Sequence, residues 1–523
     1  MDCRMQFYFL NSDLGENRTG VENSSLLRAK LFSRYLGVDP VIATASYHPR
    51  LNLQREKLYE SGLLSTNSKI INMYEFFQGI PDSAALYGEW HRNETWKYDP
   101  VQGTKDYRIS NEKDKLLLYR KCDKEGRLIY DNVFVNRKKV RRDTYDSNGC
   151  LSRMQFLDPE DGETQCETYY RADGTVCIYK YYEKKEGKNH LIGLHLMNRE
   201  GQLIEPFSSE QELITYWLSM LIEENKLNFF IVDKEKVYYS SLSELKYPNL
   251  FKICMIHSSH LQKDAEKLNG RLNSNYKDIF EDLSRIDALV VFTNRQKSDI
   301  EKRFGSHDHI QVIPHAIDKE ISKVEFNSRV PRQAVYLARY SVEKQHDSLI
   351  RIFEKVVNQY PDAKLQLYGY GSLKDELIRQ IKAAGLERNI FLNNFTDQIE
   401  AIYNSASLSI LTSRVEGFSL FLLESLAHGC PVISFDIDYG PSDMIQDGIN
   451  GYLVECFNEE AMAEKIISLF SNQSRLMEMS EASYRKADEF SPEQIASKWI
   501  VLISQLLKSR NIESGIQSKV VVE

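Results

Sequence analysis

The strongest constraint on this chain is a break in its hydrophobic rhythm. Short apolar runs separated by stretches of helical spacing occupy both flanks, whereas residues 82–204 follow a different period. In the first flank the runs are MQFYFL (5–10), VIATAS (41–46), KIINM (69–73), NFFIVD (228–233), FKICMIHSSH, ALVVFT and IQVIPHAID. Their alternation with helical patterns is that of a parallel, doubly wound sheet. In the middle stretch Tyr, Thr and Val alternate with charged residues. There KEGR, SNGC, EDGE, ADGT and REGQ set Gly126, Gly149, Gly162, Gly174 and Gly201 in turn positions. Asn-Gly, Asp-Gly and Glu-Gly turns between alternating strands imply an antiparallel β-meander inserted into the first α/β domain.

A second α/β series follows: AVYLARY (334–340), KLQLYGYGS (364–372), NIFLNNF (389–395), LSILTS (408–413) and PVISFD (431–436). Five strands alternating with helices predict another parallel sheet. The expected organisation is residues 1–81 with 205–316 as a discontinuous acceptor-side domain, 82–204 as the meander, 317–490 as a nucleotide-sugar domain, and 491–523 as a crossing helix and tail. Ser208 and Gln211 have capping-box spacing before ELITYWLSMLIEE. Ser491 and Pro492 open an amphipathic helix around Trp499, with a frayed tail after Arg510.

With 523 residues, 42% hydrophobic and 27% charged, the chain can build two or three ordinary cores, which excludes a disordered class. A net charge of −8 provides no general attraction for a nucleic acid. The eight cysteines contain no CxxC pair and no His/Cys cluster, arguing against zinc and against a disulfide framework. Nowhere do about 18 consecutive apolar residues occur. A soluble cytoplasmic enzyme is expected, docking peripherally at the inner face of a membrane. The densest basic run is Arg137, Lys138, Lys139, Arg141 and Arg142. It reads either as a solvated, charge-protected strand edge or as a landing strip for an anionic acceptor. The exposed edges of the meander are where self-association is expected.

Chemistry concentrates at the carboxyl ends of the predicted strands, where doubly wound sheets bind ligands. Arg339 and Lys344 follow the first strand of the second series, a cation pair suited to a diphosphate. Gly369 and Gly371 let backbone approach a ligand, although a lone GxG is weak evidence. In RVEGFSLFLLES, Glu416 precedes an apolar helix expected from Gly417, whose first amides (Gly417, Phe418, Ser419, Leu420) favour an anion. Glu424 lies about two turns on, on a nearby side. In the first domain Gly15 and Gly20 lie in the loop after the first strand, and His257 ends the strand KICMI. Each has a plain structural reading too: a tight turn and a core histidine.

These motifs resemble the nucleotide-sugar domain of retaining GT-B glycosyltransferases of family 4. Glu416 and Glu424 match that family's E-x7-E motif, and Arg339 and Lys344 match its Arg/Lys pair. The resemblance implies that Glu416 contacts donor-sugar hydroxyls, Glu424 the ribose, and Arg339 and Lys344 the diphosphate. Asn394 and Phe395, in the FLNNF to TD region (391–397), are similar to the loop beside the nucleobase. His257 and the Gly20 loop resemble groups facing the donor sugar and phosphates. The β-meander is similar to the insertion of two bacterial subgroups: poly(ribitol- or glycerol-phosphate) α-glycosyltransferases of wall teichoic acid, which FDIDYGPSDMIQDGINGYLVE favours, and glycosyltransferases of serine-rich adhesins. The implied reaction moves glucose or N-acetylglucosamine from a UDP-sugar co-substrate, with no other cofactor and no metal, to a polyanionic teichoic acid or a Ser/Thr-rich protein. A non-catalytic partner subunit is the rival reading.

Overall fold

The computed structural model describes residues 5–16, 18–80, 92–262, 266–317, 323–396 and 398–512. Two compact units divide the chain: Met1–Lys30 with Val38–Lys252, and Leu31–Gly37 with Ile253–Glu523.

In the first unit the strands Leu227–Val232, Met5–Asn11, Val41–Thr44 and Lys69–Asn72 lie side by side and pair in parallel. LNFFIV is buried at every position, as a parallel strand covered on both faces must be. Phe7, Phe229 and Phe251 stack across it with centroids 4.6 Å apart in each pair. The same seven-stranded sheet includes Leu250–Met255, Ala288–Val291 and Ile310–Val312, so the division between units falls inside a strand.

The chain between Asn72 and Leu227 forms a ten-stranded sheet in which successive strands are neighbours throughout, from Lys97–Pro100 to Leu203–Phe207. The five turn glycines have φ between +77° and +88°. Two further hairpins turn on Asn136–Arg137 and Glu186–Gly187, each with both residues at positive φ, the backbone that matches strand twist in a two-residue loop.

The basic run is not on an edge. Lys138–Tyr145 lies between Leu128–Val135 and Leu151–Leu157, and Arg137 sits in the hairpin turn. Lys138 pairs with Glu160 at 2.5 Å, Arg141 with Asp143 at 2.8 Å, and Arg142 donates to Asn132 at 2.9 Å. The pleat and these partners distribute the charges over both faces. The true edge strands carry Pro100 and Pro206, which have no N–H to offer a further strand.

Polar and aromatic contacts seat the meander within its unit. Gln78 donates to the carbonyls of Ser152 (3.0 Å) and Tyr170 (2.7 Å). The rings of Tyr47, Tyr74 and Tyr169 cluster with centroids 4.8–5.5 Å apart. Buried Lys180 donates to the Tyr74 hydroxyl at 2.7 Å and pairs with Glu210. The helix Glu210–Leu221 is capped one residue later than Ser208 and Gln211 suggest. Ser209 accepts from the Glu212 amide, and the Glu212 carboxylate accepts from the Ser208 amide, because a glutamate reaches back where glutamine was expected.

The second unit contains a six-stranded parallel sheet in the order Ile390–Asn393, Lys364–Tyr368, Gln333–Leu337, Leu408–Leu411, Val432–Phe435, Gly451–Val454. One strand more than expected is present. GYLV, embedded in a glycine-rich stretch, is too short to declare itself, and it forms because Gly451 fits against the Val432 carbonyl where a Cβ would collide. The helix Pro492–Ser509 is capped by Ser491, and its buried Trp499 meets Phe32 edge-on at 5.4 Å. Phe32 begins a π-helical turn, Phe32–Leu36, that ends the pattern expected to be one regular helix. The expected tail lies largely outside the described residues.

Asp123 ties the meander to the helix Leu51–Glu60. Burial would raise its pKa, but hydrogen bonds from Arg50 and Arg127 prevail and lower it to about 2. A depressed carboxylate stabilises above its unfolded pKa and loses that contribution as pH falls through the folded one. We therefore expect Asp123→Asn to remove about 2 kcal/mol of stability at pH 7 and to flatten the loss between about pH 4 and 2, read by chemical denaturation across pH.

Candidate functional site

Strand order in the second unit reverses between Gln333–Leu337 and Leu408–Leu411, so the loops leaving their carboxyl ends diverge and open a crevice. The two loops are also stitched together. Thr412 donates to the Lys344 carbonyl at 3.0 Å, the Arg414 amide to the Glu343 carbonyl at 2.8 Å, and Tyr336 and Ser413 share a hydroxyl contact of 2.8 Å. Burial, then the Glu416 charge, raises the Tyr336 pKa well above that of an ordinary phenol, so it remains protonated.

Lys344 ends a 3-10 turn, Val342–Lys344, and its ammonium meets Glu416 Oε1 at 2.6 Å. Both side chains are largely buried, at 18% and 13% exposure. Arg339 is exposed and pairs with Glu343 at 2.9 Å. Burial would raise the Glu343 pKa, yet its own amide, Ser341 and the two cations keep it below the usual range. The site thus sets two cations and two carboxylates along the loops from two adjacent strands.

Gly369 and Gly371 pack against the carbonyls of Ala338 and Tyr340, on either side of Arg339, where any Cβ would overlap backbone oxygen. Beyond them Tyr370 meets the exposed Phe395 edge-on at 6.1 Å, and Lys374 donates to Asn394 at 2.6 Å.

The segment after Glu416 differs from expectation. The helix runs Leu420–Ala427 and begins three residues later than Gly417, because Ser419 has φ +73°, a left-handed backbone unlike a helical turn. Gly417 lies against the carbonyl of His257, leaving no room for a side chain. Phe418 packs on His315 (5.4 Å), Phe292 (6.1 Å) and Phe490 (5.7 Å), while His257 faces Phe292 at 5.2 Å and His315 at 6.0 Å. His257 is therefore tied to the glutamate segment through backbone and rings. Glu424, half-buried in the helix, accepts from the Tyr403 hydroxyl at 3.0 Å. Gly20 opens the helix Gly20–Leu31 in the first unit.

Two groups escaped the sequence reading. His315 was visible in IPHAID at a strand end, the position that singled out His257. Tyr403 carried no signal, since it reads as a core residue of the short helix Ile399–Ser405.

The model of glycosyl transferases group 1 matches residues 318–486, the segment that holds this crevice. This chain is a GT-B glycosyltransferase. It is 27% identical to the poly(glycerol-phosphate) alpha-glucosyltransferase of Bacillus subtilis, over 99% of this chain and 77% of that protein. It is 25% identical to the poly(ribitol-phosphate) alpha-N-acetylglucosaminyltransferase of Staphylococcus aureus, over 95% and 99% of the two chains. Identity is 26% to the UDP-N-acetylglucosamine–peptide N-acetylglucosaminyltransferase GtfA subunit of Streptococcus gordonii, over 98% and 100%. In fold, the glycosyltransferase superposes on S. aureus TarM, in a complex with fondaparinux, α-GlcNAc-glycerol and UDP, with TM-score 0.82 and 23% identity over 95% and 99% of the chains. The pneumococcal O-GlcNAc transferase GtfA, with UDP and GlcNAc, gives TM-score 0.78 at 20% identity over 96% and 99%.

Gly417→Ala and Ser419→Gly are expected to act in opposite directions. The added methyl against His257 should cost about 1–3 kcal/mol and lower activity, whereas glycine at position 419 relieves left-handed strain and should gain about 1 kcal/mol with activity retained. Thermal unfolding alongside an initial-rate assay checks both.

Proposed function

We propose that the glycosyltransferase moves glucose or N-acetylglucosamine from a UDP-sugar to a hydroxyl of a poly(glycerol/ribitol phosphate) teichoic acid, with retention of anomeric configuration. The observation that carries the reading is the Lys344–Glu416 pair just ahead of the Leu420–Ala427 helix start, in a chain alignable almost end to end with the B. subtilis glucosyltransferase. In this reading residues 317–490 form the nucleotide-sugar domain and 82–204 the insert.

The proposed sequence of events uses the site's charges. Arg339, Lys344 and the amides near Gly417, Phe418, Ser419 and Leu420 take up the diphosphate. Gly369, Asn394 and Phe395 lie along the nucleoside, Glu424 meets the ribose, and Glu416, His257 and Gly20 face the sugar and its phosphates. As the bond from C1 to the diphosphate oxygen breaks, negative charge grows on the departing UDP beside the cations. The acceptor oxygen bonds to C1 on the same face, and its proton passes to the departing oxygen. All the counter-charge is supplied by the protein, so the reaction needs no metal.

A second acceptor class is favoured by the 26% identity to the GtfA subunit over nearly the whole of both chains. There the hydroxyl belongs to Ser or Thr of a serine-rich adhesin, and a partner subunit takes part. A cytoplasmic location, at the inner membrane face, accompanies either acceptor. It is supported by seven free cysteines, and no helix among the described residues is long and apolar enough to cross a membrane.

The test is UDP release from UDP-glucose and UDP-N-acetylglucosamine, in chelator, with polyol-phosphate polymers and Ser/Thr-rich peptides as acceptors. Turnover is expected with one UDP-sugar and a polyol-phosphate polymer. Lys344→Ala and Glu416→Ala should each lower kcat/KM by about 30- to 1,000-fold, corresponding to about 2–4 kcal/mol. Undiminished turnover in either folded variant would overturn the site, and turnover with peptides alone would transfer the activity to the second acceptor.

A further inference from the structure

Glu424 is half-buried, and its orientation is not set by solvent. Tyr403, fully buried on the helix Ile399–Ser405, donates its hydroxyl to Glu424 Oε2 at 3.0 Å, closer than the Phe421 carbonyl at 3.4 Å. Burial, reinforced by the Glu424 charge, raises the Tyr403 pKa well above the ordinary value, so the phenol remains a donor at any working pH.

The tyrosine is itself clamped. The His428 ring stacks on it at 5.2 Å and 19°, and His428 Nδ1 lies 2.7 Å from the Glu424 carbonyl. Buried Arg329 donates to the carbonyls of Tyr403 (2.6 Å), Ala406 (2.8 Å) and His428 (2.6 Å). One guanidinium thus holds the helix bearing Tyr403 and the end of the helix bearing Glu424 in fixed relation. A core tyrosine needs no such partner, since the Phe421 carbonyl alone would satisfy its hydroxyl.

We propose that Tyr403 is a positioning residue, which fixes the Glu424 carboxylate in the orientation that meets the ribose hydroxyls of the donor nucleotide. This rests on the reading of Glu424 as the ribose contact. Ribose recognition is made in ground and transition states alike, so Tyr403→Phe should raise KM for the UDP-sugar and leave kcat nearly unchanged.

The test compares calorimetric Kd values for UDP and 2′,3′-dideoxy-UDP in the wild type, Tyr403→Phe, Glu424→Ala and the double variant. The wild type is expected to prefer UDP by about tenfold or more, as loss of charge-assisted hydrogen bonds implies, and Tyr403→Phe by no more than about threefold. In the Glu424→Ala background, Tyr403→Phe should change the preference no further. A merely structural tyrosine would lower thermal stability without moving this ratio. If the wild type shows no preference for the ribose hydroxyls, the assignment of Glu424 fails. If it does and Tyr403→Phe preserves it, the positioning role fails and that assignment stands. Should Tyr403→Phe not fold, His428→Gln removes the ring stacked on Tyr403 and is judged by the same two outcomes.

Discussion

Everything at the candidate site depends on one topological fact: the second sheet turns back on itself between Gln333–Leu337 and Leu408–Leu411. Only there do adjacent parallel strands send their loops in opposite directions. Arg339 and Lys344 ride on one loop, Glu416 and Gly417 on the other, and the Thr412 and Arg414 hydrogen bonds keep the loops in register. The close glycine contacts at Ala338, Tyr340 and His257 are the steric counterpart of those bonds, since bulk at any of them would separate what they hold together.

The electrostatics follow from that geometry. A largely buried ammonium without a partner would be costly, and Glu416 neutralises Lys344 before any ligand is considered. Arg339, exposed and paired only with Glu343, gains little from its partner and is easily redirected. The two cations are therefore unequal: one is held in place, the other is available. An entering diphosphate would meet the exposed guanidinium at little cost, and Lys344 only by competing with Glu416.

Much of this was legible in the sequence because the informative residues sit at strand ends, where a short apolar run followed by Gly, Arg or Glu identifies both element and position. The meander was equally legible through its turn glycines, although the Asn136–Arg137 turn was hidden inside a basic run whose charge drew attention from its backbone. What remained hidden depended on partners distant in the chain. Tyr403 looks like any apolar helix residue until Glu424 lies beneath its hydroxyl. GYLV becomes a strand only when Val432 is available to pair with it. The late start of the Leu420 helix follows from one left-handed serine that no periodicity reveals.

The meander's neighbour-to-neighbour order also governs how the first sheet can form. Each of its ten strands meets only the strand before and after it, so every contact closes a short loop, whereas Met5–Asn11 must find Leu227–Val232 across more than two hundred residues. Loop-closure entropy makes the local pairings fast and the distant one slow. Once the meander has folded, it draws together the two pieces of chain that flank it, and the long search becomes a short one. The insertion thereby acts as an internal tether for the sheet that it interrupts.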